Sequence, residues 1–317
     1  MKNVILSLLA LATLGMVACK KHEVIPPPTP TSNLGSYFTD NENEAKQNFS
    51  INASTSNTFT GENGVKINVP ANSFVYSNGD VVTGTIDFEL IEVLNVSSMV
   101  SLNKTTTSNG EILVSGGQIK LIASQNSSQV FLAQDMAVEV KIPTTNIDPQ
   151  MALFVGNQNA TGDVDWTSSV LDTTQQDTII IVNDTIGNGW VDYYSFDFTN
   201  DSLGWINCDY FWNNPAPETD IIAQLDTIYN YSNTSCFLVF TDINSVMSLH
   251  DYTVVNDGEF LGSNIPTGQP VTFVCVSEID GLYYSAFVNS MIVANHIESI
   301  TMSLTTITAI QTAIDNL

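Results

Sequence analysis

The sequence predicts an all-β protein, built as tandem β-sandwich-like modules after an N-terminal signal and a flexible tether, with a short C-terminal helix. Short runs of alternating apolar and polar residues recur from Phe59 onward. Gly, Asn, Ser and Thr separate these runs, as turn chemistry requires. Thr306 to Leu317 instead sets Ile307, Ile310, Ala313, Ile314 and Leu317 at helical spacing. The clearest strand pair lies in Gly61 to Val93. Val65, Ile67 and Val69 alternate with Lys66 and Asn68, and Pro70 ends that ladder because it has no N–H to donate. Ser77-Asn78-Gly79-Asp80 supplies a turn. Thr85 to Val93 then places Ile86, Phe88 and Leu90 on one face, with Asp87, Glu89 and Glu92 read as a solvated face.

Composition bounds the function. A chain of 317 residues with 43% hydrophobic content suits about two domains with sizeable cores. Its 33 acids face 8 lysines and no arginine. Nucleic-acid binding is excluded, because phosphate neutralisation needs clustered cations. Sites that grip a carboxylate or phosphate through a guanidinium fork are excluded with it.

Lys2 followed by the apolar Val4 to Ala18 reads as a signal segment, too short for a membrane span of about 20 residues. It ends in Met16-Val17-Ala18-Cys19, which resembles the lipobox of bacterial lipoproteins. That resemblance makes residues 1–18 a lipoprotein signal peptide removed before Cys19, and makes Cys19 the lipid attachment site, acylated with palmitate-type chains. It implies an outer-membrane lipoprotein of the cell envelope, periplasmic or surface-exposed, whose N-terminal lipid holds it to the membrane. Residues 19–48 read as a flexible Pro-rich tether with polyproline character at Ile25 to Ser32. The acidic run Asp40 to Glu44 reads as solvated chain.

Residues 49–145 read as the first β-sandwich, with Asn109-Gly110 as a hairpin cue and no helical period between Phe59 and Ile142. Residues 146–204 read as an irregular β connection with strand candidates at Ala152 to Gly156 and Thr178 to Val182. Asn157 to Asp165 reads as a turn rather than a calcium loop, since it lacks the leading Asp and the closing Glu. Residues 205–317 read as a second β domain, with Asp280-Gly281 as a further hairpin cue and the closing helix at its end.

Val69-Pro-Ala-Asn-Ser-Phe74, Asn78-Gly79, Val82-Thr-Gly84 and Glu89-Leu-Ile-Glu92 together resemble the ZU-type β domain. Ser115-Gly-Gly117, Met151-Ala-Leu-Phe154 and Leu203-Gly-Trp-Ile-Asn-Cys-Asp209 resemble its version in cell-envelope lipoproteins of the Bacteroidota. The resemblance implies a non-catalytic, extracytoplasmic binding or scaffold module. Asp177-Thr178-Ile179, Asp184-Thr185-Ile186, Asp201-Ser202-Leu203 and Asp226-Thr227-Ile228 resemble the O-glycosylation sequon of that phylum's surface proteins.

The aromatic-rich stretch Trp190 to Trp212 gives the candidate ligand contacts: Trp190, Tyr193, Trp205 and Trp212. These rings either fill a core or stack on sugars, the latter making a glycan-binding accessory lipoprotein. Beyond Cys19, Cys208, Cys236 and Cys275 allow one disulfide plus a thiol, or three buried thiols. There is no CxxC, HExxH or GxSxG motif, so neither zinc nor a serine elbow is expected, nor any cofactor. His250-Asp251 has no nucleophile at a telling spacing, and a hydrolytic carboxylate pair among Glu89, Glu92, Asp163 and Asp165 has no positional support. The expected partner is an envelope protein or glycan.

Overall fold

Strands Thr85–Val93 and Glu111–Gln125 lie side by side at the heart of a large antiparallel sheet. The computed structural model describes residues 32–158, 164–168, 179–186, 189–200, 202–249 and 258–317. The segment read as a signal, Cys19 and the proline run lie outside them. Thr31–Leu317 forms one compact unit.

Sheet I runs in the order Gln47–Asn52, Thr85–Val93, Glu111–Gln125, Gly204–Phe211, Ala152–Gln158, Val164–Ser168. Sheet II runs Ile180–Ile186, Gly189–Phe198, Val138–Thr144, Lys66–Val69, Asn57–Thr60. Sheet III runs Ser245–Ser248, Thr234–Phe240, Pro270–Ile279, Leu282–Met291, Ser303–Thr305. Sheet IV places Glu218–Gln224 between Glu259–Pro266 and His296–Ser299, the latter parallel to it.

Three cores stack these sheets in sequence. Ile86, Phe88 and Leu90 of sheet I meet Val138, Val140 and Phe196 of sheet II. The opposite face of sheet I, with Ile91, Phe154 and Trp205, meets Phe237, Val239 and Val274 of sheet III. The far face of sheet III, with Leu238 and Phe273, meets Ile221, Ala223 and Phe260 of sheet IV. Sheets I and III are therefore covered on both faces. That is why Ile112 to Ser115 and Phe273 to Glu278 are continuously buried instead of alternating.

Helices line the middle core. α1 (Leu34–Glu44) buries Leu34, Tyr37 and Phe38, an i, i+3, i+4 stripe. α2 (Val96–Ser101) starts at Asn95, whose side chain accepts from the Ser98 N–H while Ser98 answers with its own hydroxyl, a full capping box. α3 (Ile307–Ile314) is the expected closing helix, capped by Thr306 and buried through Ile310 and Ile314. Both hairpin cues form: Asn109-Gly110 and Asp280-Gly281 each carry two successive positive φ angles.

Two expected boundaries change. The tether does not extend to residue 48, because residues 34–44 are helical and docked by the Tyr37 and Phe38 rings. The division at 204/205 falls inside strand Gly204–Phe211, which pairs with Glu111–Gln125 and Ala152–Gln158. Residues 146–204 are likewise no mere connection, since they supply strands to sheets I and II. Apolar runs interrupted by polar loops conceal such long-range pairing from a local reading.

Candidate functional site

The four aromatic candidates do not converge. Successive residues of a strand face opposite ways, so Trp190 and Tyr193 point to opposite sides of sheet II. Trp190 is 73% exposed. Tyr193 is buried beneath the Lys66 ammonium, 5.1 Å from its ring centre. Trp205 is buried in the middle core, edge-on to Trp166 at 6.5 Å, and Trp212 is half-buried against Phe240 at 5.6 Å. A stacking platform from Trp190, Tyr193, Trp205 and Trp212 is thus corrected to one exposed ring and three packing groups.

A concavity lies where α1, α2 and α3 meet. It is a groove of about 890 Å³ whose walls include Asn41 and Glu44 of α1, Ser97 of α2, and Thr308, Gln311 and Asp315 in and after α3. Its lining is mostly amide, hydroxyl and carboxylate groups, which suit hydrogen bonding to a polar partner. Among the described residues no group of three or more His, Cys, Asp or Glu is placed to hold a metal ion.

Glu92 stands at the groove's edge. It is only 5% exposed, against the solvated face expected of it. Its carboxylate accepts from the backbone N–H groups of Asn63 and Val65, each at 2.8 Å, and from the Gln47 amide at 2.9 Å. A Cβ on Gly61 would come within 2.5 Å of that carboxyl carbon, so a side chain there would displace the carboxylate from its donors. The pairing was hidden because the donors lie 27 and 29 positions away.

Glu42 is the second acid misread as solvated chain. It binds Lys104 at 3.0 Å and Lys120 at 2.9 Å, and both ammonium groups lie over the Trp205 ring at 5.3 and 5.4 Å. The Lys104 side chain is 3% exposed, so this cluster is largely dry. Burial pushes the Glu42 carboxyl up, but hydrogen bonds and charge from Lys120 and Lys104 outweigh it and leave the group below its ordinary range. With the Asn41 amide donating to the Ser101 carbonyl and the Asn33 N–H to Glu278, the cluster fastens α1 to both sandwiches.

Nucleophile candidates take structural positions. Burial and the neighbouring Asp209 push the Cys208 thiol well up, which suppresses the thiolate a nucleophile needs. Ser290, His296 and Glu298 adjoin, but their wiring differs from a catalytic triad. Ser290 Oγ donates to Glu298 at 2.6 Å, and His296 Nε2 lies 3.2 Å from the same oxygen. Since His296 Nδ1 accepts from the Val293 N–H, the ring proton sits on Nε2 and that nitrogen is not a base toward Ser290. His250-Asp251 and Asp163 lie outside the described residues, as do Asp177-Thr178 and Asp201. Thr227, in the turn after Glu218–Gln224, is exposed. No helix among the described residues is long and apolar enough to cross a membrane. Comparison with protein-family models matches none, and comparison with curated proteins returns no relative.

Proposed function

We propose that the chain is a lipid-anchored cell-envelope protein of non-catalytic binding or scaffold type, attached to the outer membrane through Cys19. The carrying observation is the apolar segment ending in Met16-Val17-Ala18-Cys19, followed by a Pro-rich lead. The lead gives way by Leu34 to a helix clamped on the β body, leaving about 15 residues of reach between lipid and body. The ZU-type resemblance supports an interaction module. Its Val69–Phe74 stretch turns through Asn72, at φ 57°, to pass from one strand to the next.

The three-helix groove is the surface we assign to the partner, an envelope protein or a glycan. Of the four aromatic candidates Trp190 alone keeps the exposure that sugar stacking needs, so glycan recognition would rest on hydrogen bonding in the groove. Capture from envelope extracts tests this, with immobilised mature protein compared against Thr308→Arg, whose exposed site projects charge into the groove. A protein or glycan retained by the parent and lost by the variant is the expected result. Equal capture by both moves the binding surface elsewhere, and no capture by either contradicts the binding reading. Attached hexose at Thr227, read by intact mass, would extend the Bacteroidota resemblance. An unmodified mass removes it.

A further inference from the structure

Cys236 and Cys275 are direct partners across two neighbouring strands at the middle of sheet III. The Cys236 carbonyl accepts from the Leu249 N–H, on the side of the strand away from Cys275. In an antiparallel ladder a residue's N–H and C=O point the same way, so Cys236 faces Cys275 at a non-hydrogen-bonded position. Cα atoms approach there to about 4.5 Å, inside the range a disulfide spans. Both side chains point into the core between sheets III and IV, and the two sulfurs are 2.7 Å apart. Cys208 sits in a different core, between sheets I and II.

We propose that Cys236 and Cys275 form a disulfide that staples the two central strands of sheet III when the chain folds in an oxidising compartment. The compartment rests on the envelope reading above; the geometry does not. One thiolate attacks the disulfide of a small-molecule or protein donor, giving a mixed disulfide and releasing one donor thiol. The second cysteine then displaces the remaining donor sulfur. A protein S–S bond forms, the donor S–S bond breaks, and two electrons and two protons pass to the donor. The timing follows from burial. Both sulfurs are shielded in the folded state, and the Cys236 thiol is pushed well above its ordinary value by burial and by Cys275. The bond therefore forms before sheet IV closes over the pair, and afterwards resists reduction.

The test is refolding of the full mature chain, reduced and unfolded, in a buffer of reduced and oxidised glutathione. Alkylation under denaturing conditions and peptide mapping without reduction follow. The expected product is a Cys236–Cys275 linked peptide two hydrogens lighter than its reduced form, with Cys208 alkylated. Three alkylated cysteines, or a link to Cys208, overturn the pairing. The same map on protein from cell envelopes tests the compartment. A link formed in glutathione but absent in the envelope overturns the bond in the cell and the oxidising location, while leaving the geometry in place.

Discussion

Asp209 sits fully buried at an irregularity in strand Gly204–Phe211, where the pairing with Glu111–Gln125 shifts register after Asn207. The Asn207 amide donates to its Oδ2 at 2.5 Å, while its Oδ1 has no hydrogen-bond partner. Burial pushes this carboxyl well above its ordinary range, with only partial relief from Ser115, Asn207 and the Gly116 amide. The folded state therefore keeps a proton that the unfolded chain releases near its ordinary pKa of about 3.9. Stability contributed by the neutral acid is full below that value and falls as pH rises toward the folded pKa. Asp209→Asn keeps the amide-sized shape without the charge. It is expected to raise stability by about 1–2 kcal/mol at neutral pH and to flatten the fall in stability that begins above the unfolded value, read by urea denaturation. An unchanged slope would show that Asp209 is not the titrating group. Gly156 is as tightly enclosed. A Cβ there would lie 2.6 Å from Trp205 Cβ and 2.6 Å from Val164 Cγ1. Gly156→Ala should cost about 1–3 kcal/mol, measured as a lower denaturation midpoint.

Among the elements, α1 tests how tightly the lead is tied to the body. Glu42→Gln removes the carboxylate charge that binds the Lys104 and Lys120 ammonium groups and should destabilise by about 3 kcal/mol, with faster amide exchange over Leu34–Glu44. Exchange limited to a frayed end, with Phe38 still protected, would assign the docking to the rings instead. The sign with pH follows from the lowered Glu42 carboxyl. Its contribution is present above the unfolded value of about 4.3 and is lost as pH falls through the folded value. This element was not legible in the sequence, and the reasons are local. α1 has only three buried apolar residues amid Asn, Asp and Glu, and α2 is six residues long with two valines among them. The hairpins at Asn109-Gly110 and Asp280-Gly281 were legible, because left-handed backbone has few residue solutions. Glu92 and Glu42 were not, since an acid's partners across the fold leave no mark beside it. The aromatic stretch gave its composition but not its sidedness, which strand parity alone decides.

Among the described residues four large sheets, with the short pair Phe74–Val75 and Phe131–Leu132 beside them, enclose three cores, and the middle core is shared by both halves. The sharing runs through α1, through Asn244, which donates to the Leu94 and Ser115 carbonyls, and through Thr106 against Ser245. Denaturation is expected to follow one cooperative transition by fluorescence and circular dichroism. Two separated transitions would mean that the middle core is weaker than the outer two. The proposed role depends on this body being carried at the membrane by one residue, Cys19. Mass spectrometry of the N-terminal peptide from native envelope protein tests that most directly. The expected product is a mature chain that begins at Cys19, with a diacylglyceryl thioether on its sulfur and an acyl group on its amine, and that is lost from the membrane fraction in Cys19→Ser. A chain retaining residues 1–18, or beginning beyond Cys19 without lipid, would contradict it.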